Sequence, residues 1–155
     1  MVADCLQNYP VDFLFSSPYL RARQTVQPLA ERLGLTVQIE SDLRERLLGE
    51  APQGIFQEIV KRTWQEMDFA YPGGESNRSA QARGQTVILR LRIDYPAAHI
   101  VIGTHGNLLA LALNAFQPSI GFEFWDALTM PDLYRLKFSP VGQVEIDRCW
   151  QTGAS

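Results

Sequence analysis

Cysteine and histidine are scarce in this chain, with two of each among 155 residues. Cys5 and Cys149 lie near opposite ends and lack the spacing of metal ligands, so we expect reduced thiols in a cytoplasmic protein and no metal site. No apolar run approaches the roughly 20 residues of a membrane span. The N-terminal stretch MVADCLQNYP also lacks the basic flank and apolar core of a signal peptide. We therefore expect no membrane partner.

An excess of positive charge is also missing. The formal net charge is −3 at pH 7 and the isoelectric point is near 5.4, so no global field attracts nucleic acid. An anionic ligand must therefore be bound by a local site. A content of 46% hydrophobic and 20% charged residues is typical of a globular protein. The length of 155 residues suits one domain and is too short for two ordinary ones, so we expect a single domain over residues 1–155.

Two enzyme signatures are absent. No Gly-rich dinucleotide fingerprint follows a predicted strand, which makes a nucleotide-binding doubly wound domain a weak interpretation. No G-x-S-x-G elbow occurs, which makes a serine hydrolase weaker still. Internal repeats and low-complexity tracts are absent as well. Functional residues are therefore expected at the ends of ordinary strands and helices.

What the sequence does contain is an alternation of short apolar strands with helices. Residues 11–15 and 100–103 form apolar runs too short for helices, which is typical of parallel strands buried on both faces. Residues 35–39 alternate like an outer strand. Two C-terminal strands, at 133–138 and 144–149, flank a Pro-Val-Gly turn and predict a hairpin. This order predicts an α/β fold, a three-layer α/β/α sandwich with a mostly parallel central sheet and a C-terminal edge hairpin.

Capping residues predict where the helices begin and end. Ser17 followed by Pro18 predicts a helix start, and Gly34 ends that helix. Further helices are predicted at 55–67, from Ser76 or Asn77 to about Ile93, and after the polar turn at 104–107. We expect loops over residues 41–54 and 122–132.

The first candidate for chemistry is His105, which follows the strand at 100–103. Ligands of open α/β sheets bind where strands end and helices begin, because free backbone N–H groups and the helix dipole converge there. Imidazole suits proton or phosphoryl chemistry near neutral pH. Gly106 lets the backbone approach a ligand closely. Taken alone, His105 is more simply interpreted as a histidine that caps a turn.

Two charged residues lie at comparable positions. Arg21 falls in the opening turn of the first long helix, where a cation is unfavourable to the helix dipole unless an anion is bound there. Glu45 lies among leucines and arginines. Each has a plain alternative, a solvated arginine for the first and a surface salt bridge with Arg44 or Arg46 for the second. Together with His105, however, they suit phosphoryl transfer, in which the protein mainly positions oxygens and neutralises charge.

Four short motifs then carry a family resemblance. SSPYLRARQT closely resembles the Ser-Ser-Pro-x-x-Arg-Ala-x-Gln-Thr signature of the histidine phosphatase superfamily, the phosphoglycerate-mutase-like phosphatases. DLRERLLGE resembles that family's loop bearing the acid glutamate, YPGGES its Pro-Gly-Gly-Glu-Ser loop, and THGN its second-histidine motif. The motifs occur in the family's order from Ser16 to Asn107, and MPDLYRL is similar to the family's closing strand. The resemblance covers nearly the whole chain.

The resemblance implies phosphate chemistry that runs through a phosphohistidine and needs no metal or organic cofactor. The ligand would be a small phosphorylated molecule or inorganic phosphate. The short stretch from Glu45 to Glu75 favours a phosphatase, because the family's mutases have a longer insertion there. By position, the resemblance implies that Arg21 binds the phosphoryl group, that His105 stabilises its transition state and that Glu45 protonates the leaving oxygen. It also implies that Gly106 and Asn107 form the floor of the pocket. Glu75 and Ser76 would line its rim.

The family's nucleophile has no counterpart in this sequence. In the family it is a histidine in an Arg-His-Gly motif at the end of the first strand, and no Arg-His-Gly occurs here. The other histidine, His99, is separated from His105 by about four strand residues, or about 13 Å, and cannot substitute. We therefore expect an N-terminally incomplete domain whose first strand is missing, with Met1 an internal methionine of a longer protein. The chain as written is expected to be inactive.

Two functions stay open at this point. One is a phosphomonoesterase of small phosphorylated metabolites, active when the missing segment is present, and the other is a non-catalytic relative that binds phosphate ligands or a protein partner. Unpaired sheet edges leave a homodimer open. Trp64 and Trp125 could lie at the rim or in the core, with the core favoured. Five arginines could extend an anionic pocket or face water: Arg23, Arg44, Arg46, Arg78 and Arg83.

Overall fold

The structure is a computed structural model that describes residues 1–151. Helices and strands alternate along most of the chain, as the apolar pattern predicts, and the α/β class is confirmed. No helix within these residues is long and apolar enough to cross a bilayer. The elements in chain order are α1 (Val2–Cys5), β1 (Phe13–Ser16), α2 (Leu20–Leu33), β2 (Val37–Ile39), a 3-10 turn (Ser41–Leu43), α3 (Phe56–Gln65), α4 (Asn77–Asp94), β3 (Ile100–Gly103), α5 (Gly106–Phe116), α6 (Phe122–Asp126), β4 (Tyr134–Phe138) and β5 (Val144–Arg148).

The central sheet has three parallel strands in the order β2-β1-β3. Because side chains alternate along a strand, β1 supplies both faces of the sheet. Leu14 packs with Leu29 of α2 and with the residues of α1, whereas Phe15 packs with Val87 and Leu91 of α4 on the opposite face. Helices therefore cover both faces, which gives the three predicted layers.

The predicted C-terminal hairpin is present, with β4 and β5 paired antiparallel from Tyr134 opposite Arg148 to Phe138 opposite Val144. Its two strands form a sheet of their own and do not join the edge of the parallel sheet. Leu133 and Trp150, at the base of the hairpin, pack against the apolar cluster on the α1 and α2 face. Within residues 1–151, β3 has a strand partner on one side only.

Three local predictions differ from the structure in part of their range. The helix after Ser17 and Pro18 begins at Leu20, because the Ser17 N–H instead donates to Gly103 O at 2.8 Å and prolongs the pairing of β1 with β3. The loop predicted at 41–54 opens with the 3-10 turn, whose start is capped by the Glu40 side chain. The loop predicted at 122–132 contains the short helix α6, which contacts α3 and α5.

Candidate active site

The close approach of α2 to the end of β3 brings the two motifs of the site together. A Cβ at Gly103 would lie 2.9 Å from Val26 Cγ1 and 3.2 Å from Ala22 O, so a larger residue does not fit without a shift. Glycine therefore lets the first turns of α2 lie directly against the end of β3. Arg21 in that first turn and His105 at the N-cap of α5 meet as a result.

His105 is the buried centre of this site, with 7% of its surface exposed. Arg21 Nε donates a hydrogen bond to His105 Nδ1 at 3.2 Å, and His105 Nε2 lies 2.7 Å from Ser17 Oγ. Because arginine can only donate, Nδ1 must be the unprotonated nitrogen, so Nε2 carries the proton and donates it to Ser17. The ring of Tyr19 meets the imidazole edge-on at 5.2 Å. The imidazole is thus held from three sides.

The surroundings of His105 favour its neutral form. Burial is the largest cause, and the charges of Arg21 and Arg83 add to it, so that the pKa of His105 is lowered to about 4. At neutral pH the site therefore contains one guanidinium, that of Arg21, and one neutral imidazole N–H, which is bonded to Ser17 Oγ. A phosphoryl group is bound by just such donors. Arg21 also lines an open cleft of about 450 Å³ together with Tyr19, Leu20 and Gln24.

We expect the stability of the fold to depend on His105 at acidic pH. In the unfolded chain the imidazole takes up a proton near pH 6.5, whereas in the folded chain it does so near pH 4. The neutral, buried His105 therefore contributes its full stabilisation above pH 6.5. This stabilisation is lost as the pH falls toward 4, which lowers the free energy of unfolding by about 3 kcal/mol. Urea unfolding of the wild type and of His105→Asn at several pH values measures this. Parallel pH dependences of the two proteins would contradict it.

Glu45 lies at the N-terminus of α5. Its Oε2 accepts the N–H of Asn107 at 2.9 Å, and its Oε1 accepts the N–H groups of Leu108 at 2.9 Å and Arg46 at 2.8 Å. A carboxylate at this position satisfies donors that the helix itself leaves unpaired and complements the helix dipole. Glu45 thus fixes the start of α5, and with it His105, while Oε2 keeps one lone pair free for a proton.

Glu75 and Ser76, predicted at the rim, take part in bonds within the protein. Glu75 forms a two-point ion pair with Arg83, with Nε and Nη2 each 2.9 Å from a carboxylate oxygen, and both side chains are largely buried. Ser76 Oγ accepts the N–H of Ser79 and caps α4. The Glu75 N–H donates to Leu47 O at 2.8 Å. These contacts join the Pro-Gly-Gly loop to the loop that carries Glu45.

Gly106 and Asn107, predicted at the pocket floor, face different surroundings. Asn107 is 4% exposed, and its side chain accepts the Trp64 indole N–H at 3.1 Å and donates to Asn77 Oδ1 at 3.2 Å. Its side chain therefore belongs to a buried network below the site. Gly106 is partly exposed and lies against Trp125 and neighbouring apolar side chains.

The structure also shows the surroundings of the arginines and tryptophans whose location the sequence left open. Arg46 is buried against Asn77, and Arg23 is exposed on α2. Trp64 packs on the core cluster of α4 and α5, whereas Trp125 is partly exposed beside Gly106. The other three arginines form ion pairs: Arg44 with Asp42, Arg78 with Asp68 and Arg83 with Glu75.

Sequence reasoning missed Ser17 as a member of the site. Ser16 and Ser17 are both fully buried at the end of β1, although serine usually lies at the surface. Two serines that directly follow an apolar strand were the available signal. His99, by contrast, lies at the opposite end of β3, is 61% exposed and has Nδ1 3.5 Å from Asp12 Oδ2.

The fold and the site define an α/β domain with an arginine–histidine pair at the carboxyl edge of a parallel sheet. The chain belongs to the histidine phosphatase superfamily (branch 1), whose model matches residues 1–144. This confirms the resemblance carried by the four motifs.

Relatives of known name are phosphatases and mutase-like proteins. The glucosyl-3-phosphoglycerate phosphatase of Mycobacterium tuberculosis is 31% identical over 131 residues, which cover 74% of this chain and 58% of that protein. Phosphoglycerate mutase-like protein 4 of Arabidopsis thaliana is 30% identical over 119 residues, 70% of this chain and 52% of that protein. The chain therefore spans little more than half the length of these relatives.

A solved structure extends the likeness to three dimensions. The mycobacterial glucosyl-3-phosphoglycerate phosphatase complexed with VO3 matches with a TM-score of 0.74 and 26% identity, over 94% of this chain and 79% of that one. A phosphoserine phosphatase from Entamoeba histolytica in complex with phosphoserine shares the fold with a TM-score of 0.76 at 19% identity, over 94% and 76% of the two chains.

Proposed function

We propose that this chain is a phosphomonoesterase-type domain that acts on small phosphorylated metabolites through a phosphohistidine, with the nucleophilic histidine supplied from outside residues 1–155. The observation that carries the proposal is the Arg21–His105 pair, with Nε 3.2 Å from Nδ1, at the carboxyl edge of the sheet. The vanadate-bound mycobacterial relative supports a phosphoryl ligand, because vanadate is a phosphate mimic.

In the proposed reaction, Arg21 turns from Nδ1 to two phosphoryl oxygens and neutralises their charge. The His105 imidazole turns its Nε2–H from Ser17 Oγ to a third phosphoryl oxygen, to which it donates a hydrogen bond. The supplied histidine attacks phosphorus with its lone pair as the ester P–O bond breaks, and Glu45 Oε2 gives its proton to the leaving oxygen. Water then attacks phosphorus, returns a proton to Glu45 and releases inorganic phosphate and the free histidine.

The place for the missing strand is the free edge of β3. β3 pairs with β1 alone, and the β4–β5 hairpin stands apart as a separate sheet within the described residues. An unpaired edge inside an α/β domain leaves backbone donors and acceptors without partners. A strand paired there would end next to His105. We propose that the domain is incomplete on this edge, which a preceding segment or, in its absence, a second copy of the chain would cover.

The second candidate is a phosphate-binding domain without turnover. It is favoured by the position of the two histidines, since His99 lies at the far end of β3 and only His105 is in the site. Such a domain would still bind a phosphoryl group through Arg21 and His105.

Phosphate release from 4-nitrophenyl phosphate separates the two candidates. Residues 1–155 alone are expected to release no phosphate above buffer. A version extended by the residues encoded upstream of Met1 is expected to be active, and His105→Ala should lower its kcat by about 100-fold or more. An extended protein that binds phosphate without turnover would favour the binding domain. An upstream sequence without Arg-His-Gly would contradict the supplied nucleophile.

A further inference from the structure

An apolar surface begins directly beside the site, at Gly106. A Cβ built on Gly106 would lie 3.6 Å from Leu128 Cδ1, 3.8 Å from Trp125 Nε1 and 3.9 Å from Met130 Cε. The Phe56 ring, at the start of α3, lies 5.9 Å from the Trp125 ring. We call Phe56, Trp125, Leu128 and Met130 the apolar wall.

The apolar wall is open to solvent although it borders a polar pocket. Met130 is 88% exposed and Phe56 is 55% exposed. Exposed apolar side chains that stand together, unlike scattered ones, mark binding surfaces. Pro131, next to Met130, lines a second cavity of about 230 Å³ together with Arg21. The wall itself lies next to His105, since it contacts Gly106, the following residue in the chain.

Charges near the wall disfavour a second anionic group on the ligand. α6, which carries Trp125, also carries the exposed carboxylates Glu123 and Asp126. Of the two cations on the nearby helix α3, Arg62 pairs with Glu66 and stacks on Phe69. The other, Lys61, lies over the Phe122 ring at 5.7 Å. A carboxylate placed beside Trp125 would thus meet the two carboxylates of α6 and apolar rings, against one cation of α3, Lys61, that forms no ion pair within residues 1–151.

We infer that the apolar wall binds the leaving group of the phosphomonoester, and that this group is neutral and apolar, an aryl group fitting best. Trp125 is the central residue, because its ring offers a stacking face and its indole N–H group lies close to Gly106, with Nε1 3.8 Å from a Cβ built there. That N–H has no acceptor within residues 1–151, so it is free to donate to the ester oxygen of the ligand. The inference rests on the proposed phosphoryl site at Arg21 and His105.

Non-hydrolysable phosphonates test the inference without turnover. We would titrate methylphosphonate, phenylphosphonate and 3-phosphonopropionate into the protein by calorimetry. The pH is chosen so that the phosphonate group of each compound carries two negative charges. Phenylphosphonate is expected to bind about tenfold tighter than methylphosphonate, since burial of the ring is favourable. The carboxylate of 3-phosphonopropionate is expected to bring no gain over methylphosphonate.

Variants of the wall supply the matched comparison. Trp125→Ala should remove the preference for the phenyl group, so that this variant binds phenylphosphonate and methylphosphonate with equal affinity. Met130→Ala, at an 88% exposed position that cannot unfold the core, should reduce the preference in part. Val141→Ala, at an 82% exposed position in the hairpin turn, is the control and should change nothing.

The outcomes separate this inference from the proposed function. Equal affinities for phenylphosphonate and methylphosphonate, or tighter binding of 3-phosphonopropionate, would overturn the apolar subsite while the phosphoryl site stands. A phenyl preference that survives both Trp125→Ala and Met130→Ala would place the subsite elsewhere and overturn it too. Failure of all three phosphonates to bind would overturn the proposed phosphoryl site and this inference with it.

Discussion

Arg21→Gln is expected to weaken the binding of inorganic phosphate by about 10- to 100-fold. The Arg21 side chain is exposed at the mouth of the site, and its Nε already reaches the buried His105. Hydrogen bonds from a charged donor contribute roughly 1.5–3 kcal/mol, and each 1.4 kcal/mol is about a factor of ten in affinity. Calorimetric titration of phosphate measures the loss directly. The same substitution should raise the pKa of His105, because the charge of Arg21 helps to lower it.

A neighbouring arginine supplies the control. Arg23 is exposed on the same helix and forms no ion pair in the described part of the chain, so Arg23→Gln removes the same charge without touching His105. Its effect on phosphate affinity is expected to be less than about threefold, the size of a screened surface interaction. Equal losses in the two variants would show that phosphate responds to net charge alone and would contradict a site at Arg21.

Glu45→Ala is expected to lower the free energy of unfolding by about 3 kcal/mol, more than the loss of an ordinary helix cap, which costs about 1 kcal/mol. The reason is that Glu45 accepts three backbone N–H groups, two of them at the start of α5. Glu45→Gln keeps one acceptor oxygen and should lose about half as much. For a chain of this size the full loss corresponds to a fall in Tm of about 10 °C.

Ser76→Ala is the matched control for Glu45→Ala. Ser76 Oγ caps α4 by accepting a single N–H, that of Ser79 at 3.1 Å, and Ser76 is only partly buried. The loss of this cap is expected to lower the free energy of unfolding by about 1 kcal/mol, with Glu45→Ala and Ser76→Ala both measured by urea unfolding. If Glu45→Ala were no more destabilising than Ser76→Ala, the claim that Glu45 anchors the start of α5 would be wrong.

The strands of the central sheet could be predicted from the sequence because their pattern is local. The apolar runs that contain β1 and β3 are short and end in Ser or Gly, and this combination has few other interpretations. The position of His105 directly after β3 could be predicted for the same reason, since the end of a parallel strand fixes where the following residue lies. The class, the layers and the position of His105 all follow from such short-range signals.

The interactions of the charged residues could not be predicted, because they depend on contacts distant in sequence. Glu45 bonds to backbone groups more than 60 residues away, at the start of α5. Arg83 pairs with Glu75 and also donates to the backbone of the loop before α3, at Asp42 O and Arg44 O. A charge in a loop gives no local sign of which partner it will meet.

The start of α2 shows how a tertiary contact overrides a local preference. Ser17 and Pro18 have the composition of a helix start, yet the Ser17 N–H pairs with β3 and its hydroxyl meets His105. The residues that would have capped a helix instead build the site. The Ser-Ser-Pro motif of the family marks these residues in the sequence, but it does not show that Ser17 contacts β3 and His105.

Phosphorus-31 NMR of the protein with phenyl phosphate tests whether residues 1–155 bind a phosphoryl group without hydrolysing its ester, because one spectrum reports both binding and hydrolysis. We expect a shifted or broadened signal for bound phenyl phosphate that is lost in Arg21→Gln, and no growth of an inorganic phosphate signal from residues 1–155 alone. Absence of a bound signal would contradict the phosphoryl site. Growth of an inorganic phosphate signal that His105→Ala abolishes would show that residues 1–155 already contain the nucleophile and would contradict its supply from outside them.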